Sequence, residues 1–183
     1  DAYRKAIEIE PEHPETFNNL GVALSAAGKT EEAEKAFERA AALDPKNPHV
    51  FQNLGITLKT RGKLQMALAA FHQAATIFPG YAEAFHNMGS TLIEMGRPDH
   101  ALSALKKAAE LDPKNHSAKY MVSALSGENP ESAPPEYVKE LFDQYSLRFD
   151  KHLARNLDYH TPRILRDSLE KAAGEEPSFG KVL

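Results

Sequence analysis

The chain has 183 residues and a formal net charge of −4, with 42% hydrophobic and 26% charged residues, a balance that suits an ordinary soluble domain, or one domain plus part of another. This weakly acidic balance gives no electrostatic case for nucleic acid or an acidic membrane as the main partner, and no apolar run approaches the roughly 20 residues that a membrane helix needs. Cysteine is absent, which removes disulfides, thiolate metal sites and a cysteine nucleophile, and a reducing, cytoplasmic setting is the expectation.

An internal period organises the chain from its first residues. Phe17-Asn18-Asn19-Leu20-Gly21 returns as Phe51-Gln52-Asn53-Leu54-Gly55 and again as Phe85-His86-Asn87-Met88-Gly89, each time after 34 residues. Gly28, Gly62 and Gly96 keep the same phase, as do Ala33, Ala67 and Ala101, then Phe37, Phe71 and Leu105, then Ala40, Ala74 and Ala108, and finally Pro45, Pro79 and Pro113. Counting from Pro14, Pro48 and Ala82 as position 1, the repeats are 14–47, 48–81 and 82–115. Residues 1–13 are the tail of an earlier repeat, because Tyr3, Ala6 and Pro11 fall at positions 24, 27 and 32. The chain lacks an initiator Met and opens within a helix, so a cut N-terminus is expected. Residues 116–125 begin a fourth repeat and then lose the pattern: Lys119 stands where the aromatic belongs. A degenerate capping helix is the expectation there.

Each repeated position has a packing reason. The aromatic at position 4 and the Leu or Met at position 7 share one helical face. Gly at position 8 and Ala at positions 20 and 27 are small, so two antiparallel helices approach closely. Gly at position 15 ends the first helix, where a left-handed residue is cheapest. Pro at position 32 stops the second. No single repeat buries its own apolar face, and stacking of neighbours supplies the core. The pattern resembles the tetratricopeptide-repeat (TPR) family at its main positions over about two-thirds of the chain. The fold class expected is all-α: a helix-turn-helix solenoid spanning residues 1–125.

The resemblance also implies a binding face. In TPR proteins the first helix of each pair lines a concave groove through positions 2, 5, 6, 9 and 12. Position 6 is Asn in all three repeats, as Asn19, Asn53 and Asn87. A ladder of this kind resembles the one lining the TPR groove of O-linked N-acetylglucosamine transferases, where amides grip a peptide backbone. A primary amide both donates and accepts, so it pairs with a peptide unit without reading its side chain. The groove set expected is Asn18, Asn19, Gln52, Asn53, Lys59, His86 and Asn87, and its partner a protein or peptide. The alternative is that the Asn ladder is structural, bonding a neighbouring turn or helix. Lys59 is almost the only basic inward residue, which argues against the carboxylate clamp of chaperone-tail-binding TPRs.

Composition changes at residues 126–135, where three prolines mark a semi-stiff linker. Beyond it Val138, Leu141, Phe142, Tyr145, Phe149 and Leu153 form an apolar stripe at near-helical spacing. Thr161-Pro162 opens a further helix with Ile164, Leu165 and Leu169. Lys181-Val182-Leu183 reads as the start of a buried strand. Glu136-Tyr137-Val138, Leu141-Phe142-Asp143, Tyr145, Arg148-Phe149-Asp150 and His152-Leu153, with Tyr159 and Pro162, resemble the lead-in of bacterial TPR-containing methyltransferases. That resemblance implies a Rossmann-like domain after residues 136–183, S-adenosylmethionine as the cofactor of the intact protein, and Phe142, Tyr145 and Phe149 packed against the cofactor domain. The other readings of 136–173 are a helical cap on a stand-alone scaffold protein and, from the Asn ladder, the TPR region of a glycosyltransferase.

No complete catalytic constellation occurs within the 183 residues, and neither a P-loop nor a Gly-x-Ser-x-Gly elbow is present. Eight His residues are scattered, without a His-x-x-x-His pair, so no metal site is expected and no cofactor within this chain. The run Glu31, Glu32, Glu34 and Lys35 reads as a solvated helix face.

Overall fold

The computed structural model describes residues 12–128, together with Pro135 and Val138. The chain divides into two units, Asp1–Pro134 and Pro135–Leu183. Most of the half repeat, most of the Pro-rich stretch and the lead-in, including Phe142, Tyr145, Phe149 and the Lys181-Val182-Leu183 run, lie outside the described residues.

Within the first unit the described residues form seven α-helices and no strand. They are α1 (Pro14–Ala26), α2 (Thr30–Leu43), α3 (Pro48–Thr60), α4 (Leu64–Ile77), α5 (Ala82–Glu94), α6 (Pro98–Leu111) and α7 (His116–Leu125). The odd-numbered helices are the first of each pair and the even-numbered ones the second. None of these helices is long and apolar enough to cross a membrane.

The turn inside each pair is built the same way three times. Gly28, Gly62 and Gly96 have φ of 76°, 74° and 70°, a region that L side chains enter only with strain. In the first copy Gly28 N–H donates to Ser25 C=O at 3.0 Å and Lys29 N–H reaches back to Leu24 C=O at 2.9 Å. Those two bonds are a Schellman closure, which satisfies carbonyls left over at the helix end. Lys63 and Arg97 make the matching reach to Leu58 and Leu92, both at 2.9 Å. The second helices stop at Asp44, Phe78 and Asp112, whose ψ values of 82°, 92° and 92° are extended. Each of the three precedes a proline, which clashes with a helical residue before it.

Helix pairing turns on the glycine at position 8. A Cβ added to Gly21 would sit 2.6 Å from the Phe37 ring, one on Gly55 2.5 Å from Phe71, and one on Gly89 2.5 Å from Leu105. The bulky residue at position 24 thus lies directly on the backbone of the partner helix. Ala33, Ala67 and Ala101 are fully buried beside it, as are Ala40, Ala74 and Ala108. Cohesion between repeats comes from side chains shared across the seams. Met88 of the third repeat packs against Leu58, Ala67, Ala70 and Phe71 of the second. Met121, Val122 and Leu125 of α7 pack against Leu105 and Ala108. Helix α7 has 10 residues against 13 in α1, α3 and α5, and is followed by Gly127 with φ of 74°. It is one turn shorter than the helices it succeeds.

One expectation fails here. Glu34 does not belong to a solvated face: it is 5% exposed and pairs with both Arg61 and Lys63, the latter at 2.7 Å. Its place in the repeat explains this, because position 21 faces the inter-helix turn of the next repeat, where both cations stand.

Candidate functional site

The first helices α1, α3 and α5 bond directly to one another. Asn53 Nδ2 donates to Asn18 Oδ1 at 3.0 Å, and the hydroxyls of Ser25 and Thr57 lie 3.4 Å apart. Lys59 Nζ donates to Ser90 Oγ at 2.9 Å and pairs with Glu94 at 2.8 Å. The second helix α2 reaches the next repeat at the turn ahead of α4, where Glu34 pairs with Arg61 and Lys63. The first helices pack directly side by side, α1 with α3 and α3 with α5, and their free face is the inner one.

Positions 2, 5, 6 and 9 fall on that face together, because steps of three and four residues return to the same side of an α-helix. Rows run across the helices. At position 2 stand Glu15, His49 and Glu83, at positions 5 and 6 the amides and His86, at position 9 Val22, Ile56 and Ser90, and at position 12 Ser25, Lys59 and Ile93. Val22, Ile56 and Ile93 at these last two positions are 47%, 42% and 38% exposed. In the first row His49 Nδ1 meets the Tyr81 hydroxyl at 3.0 Å, with the rings edge to face. Burial, with the carboxylate of Glu83 nearby, raises the Tyr81 phenol above its ordinary pKa of 10.0.

The middle row departs from a uniform ladder. Asn53 spends one amide hydrogen on Asn18, so the central Asn is partly structural and keeps its carbonyl and one N–H. Asn19 is exposed, Asn87 is half-buried, and neither side chain has a hydrogen-bond partner among the described residues. Gln52, expected to line the groove, lies beneath the surface at 2% exposure, with Nε2 and Oε1 both unpartnered. By repeat equivalence Gln52 stands where Asn18 does, and Asn87 where Asn53 does. The Asn18–Asn53 bond is not reproduced there, since a glutamine carries its amide one methylene farther out. His86 follows in the same row, with its Nδ1 buried and unpartnered. Burial, then the charge of Lys59, lowers the imidazole pKa from 6.5 against an opposing pull from Glu83, so His86 is neutral near pH 7.

Lys59, the expected basic residue, is committed within the fold to Ser90 and Glu94. Among the described residues of this face, no second free Lys or Arg joins Lys59 to clamp a terminal carboxylate. No group of three or more His, Asp or Glu that could hold a metal occurs among the described residues. Away from this face, an open cleft of about 390 Å³ follows the seam between α4, α5 and α6, lined by Leu68, Phe85, Met88 and Leu92 with Arg97 and Lys107.

Family models described as tetratricopeptide repeat match residues 14–47, 36–69 and 58–125. No curated protein matches the chain in sequence. Among solved structures, MamA is similar with a TM-score of 0.67 at 22% identity, over 82% of this chain and 87% of that one. YrrB, described as a TPR protein with an unusual peptide-binding site, is similar at 0.64 and 21%, over 80% and 73%. The Yersinia enterocolitica type III secretion chaperone SycD, in complex with a peptide of the translocator YopD, is similar at 0.60 and 21%, over 63% and 94%. At these identities the likeness is one of fold.

Proposed function

The chain is a tetratricopeptide-repeat protein, and on that footing we propose that its inner face binds an extended polypeptide segment by the backbone. The observation that carries this reading is the middle row. Asn19 and Asn87 hold side-chain donors and acceptors on the open face that no group of the described residues takes up. A half-buried amide without a partner, as at Asn87, is disfavoured in a finished structure, and a peptide backbone offers both amides the complementary pair. Two of the structures similar in fold, YrrB and SycD, are described with a peptide-binding site or a bound peptide, which is consistent with this use of the face.

Selection of binders from a random peptide library on the intact chain tests the proposal. The selected peptides should lose about 5- to 100-fold in affinity for Asn19→Ala/Asn87→Ala, since each amide bond contributes roughly 0.5–1.5 kcal/mol net. Both sites lie on the open face, so the variant should melt within a few degrees of the parent. Peptides that bind the variant as tightly as the parent would overturn the reading.

We also propose that the array presents a protein substrate to an S-adenosylmethionine-dependent methyltransferase domain. Support comes from the likeness of residues 136–183 to the lead-in of TPR-containing methyltransferases. Calorimetric titration should give no S-adenosylmethionine binding to this 183-residue chain and clear binding to the full product of its gene. Binding by the 183-residue chain itself, or none by the full product, would sink this part of the proposal.

A further inference from the structure

We infer that the segment taken up in the groove is one whose alternate side chains are aliphatic and basic; this rests on the backbone-binding reading above and adds the class of ligand. On each first helix, position 2 and position 9 are seven residues apart, which is about 10 Å along the axis at 1.5 Å per residue. The amide row lies midway between them. An extended peptide bonded through one backbone edge to that row sends successive side chains to opposite sides. One set reaches Val22 and Ile56 at position 9, with Ile93 at position 12 one turn beyond Ser90 in the third repeat, and the other reaches the row of Glu15, His49 and Glu83.

The two walls differ in chemistry. The aliphatic side chains stand out at 47%, 42% and 38% exposure across three successive repeats, and covering them is favourable by area alone. Glu15 and Glu83 are exposed, and neither has an ion-pair partner among the described residues. The one Lys or Arg on this face among the described residues, Lys59, already has Glu94 at 2.8 Å. Among the described residues of this face, an acidic ligand would therefore meet two free carboxylates and no free cation. A ligand with Lys or Arg on that side gains attraction at both Glu15 and Glu83, and like-charge contact rejects the acidic counterpart. Between the walls, Asn19 and Asn87 offer backbone partners, and neutral His86 adds no positive charge that would repel a basic segment.

The test measures fluorescence anisotropy at physiological salt with three capped, labelled peptides: alternating Leu-Lys, alternating Leu-Glu and alternating Ser-Lys. The proposal expects Leu-Lys to bind at least 10-fold more tightly than either of the others. Glu15→Lys/Glu83→Lys, two exposed changes, should reverse the order of Leu-Lys and Leu-Glu, and Ile56→Ser should weaken Leu-Lys. Equal or tighter binding of Leu-Glu to the parent chain would overturn the inference. If library peptides sensitive to Asn19→Ala/Asn87→Ala prove acidic, the ligand class is wrong and backbone binding stands. If Leu-Lys binds but ignores Asn19→Ala/Asn87→Ala, backbone binding falls and the inference with it.

Discussion

Phe71→Ala should lower the unfolding free energy by about 3–5 kcal/mol, the range for emptying a buried aromatic site. Phe71 is fully buried at the centre of the middle repeat and sits on the backbone of Gly55. Loss there also strips Met88 of its packing partner across the seam, so the damage spreads to the third repeat. The companion change makes the steric claim sharper. Gly55→Ala alone places a Cβ 2.5 Å from the Phe71 ring, and overpacking of this kind costs about 1–3 kcal/mol. In the Phe71→Ala background that clash is gone, and an alanine in mid-helix is favoured over glycine by roughly 0.5–1 kcal/mol. Urea unfolding of the two single variants and the double variant measures the coupling. The double variant should be no less stable than Phe71→Ala alone. Additive losses, to within about 0.5 kcal/mol, would show that Gly55 is not there to seat the ring.

The order of helices was legible because it rests on small and special residues. Glycines 34 residues apart mark the turns, prolines mark the stops, and Phe37, Phe71 and Leu105 face glycines on the partner helix. The shortened last helix of the described repeats was half legible. Lys119 signalled loss of the pattern, and Gly127, three residues ahead of the period, signalled the missing turn. Glu34 was misread because its neighbours Glu31, Glu32 and Lys35 do face solvent, and adjacency along a helix says little about facing. The repeat held a better signal: position 21 is Leu68 and Leu102 in the other two copies, and a position apolar in two copies of three is a buried one. Gln52 gave no such warning. Position 5 is polar in every copy, as Asn18, Gln52 and His86, and what separates Asn18 from Gln52 is one methylene of reach. The Asn ladder was likewise visible as a row, but the bond from Asn53 to Asn18 needs two helices brought side by side.

Glu34→Ala should destabilise the chain by about 1–3 kcal/mol near neutral pH, less than the 3–5 kcal/mol of a fully buried pair. Its partners explain the discount: the Arg61 and Lys63 side chains are 23% and 38% exposed and regain water when the carboxylate is gone. Glu34→Leu should be close to neutral instead, because leucine already fills this position in the next two repeats as Leu68 and Leu102. Exchanging buried charge for apolar packing of similar volume often leaves stability unchanged or raises it. The pH profile distinguishes ion pairing from simple space-filling. Burial alone would raise the Glu34 pKa, but the hydrogen bonds and charges of Lys63 and Arg61 outweigh it and hold the carboxyl below its ordinary 4.5. As acid is added, the unfolded chain therefore takes up this proton first. The contribution of the ion pair is complete above pH 4.5 and disappears as the pH falls below that value through the folded-state pKa. Thermal melts at pH 7 and at stepped values below 4.5 should show the parent losing its advantage over Glu34→Ala. Glu34→Leu should pass through the same window with less loss than the parent. A constant gap between parent and Glu34→Ala across that range would mean that the side chain only fills space and that the two cations contribute nothing to the seam.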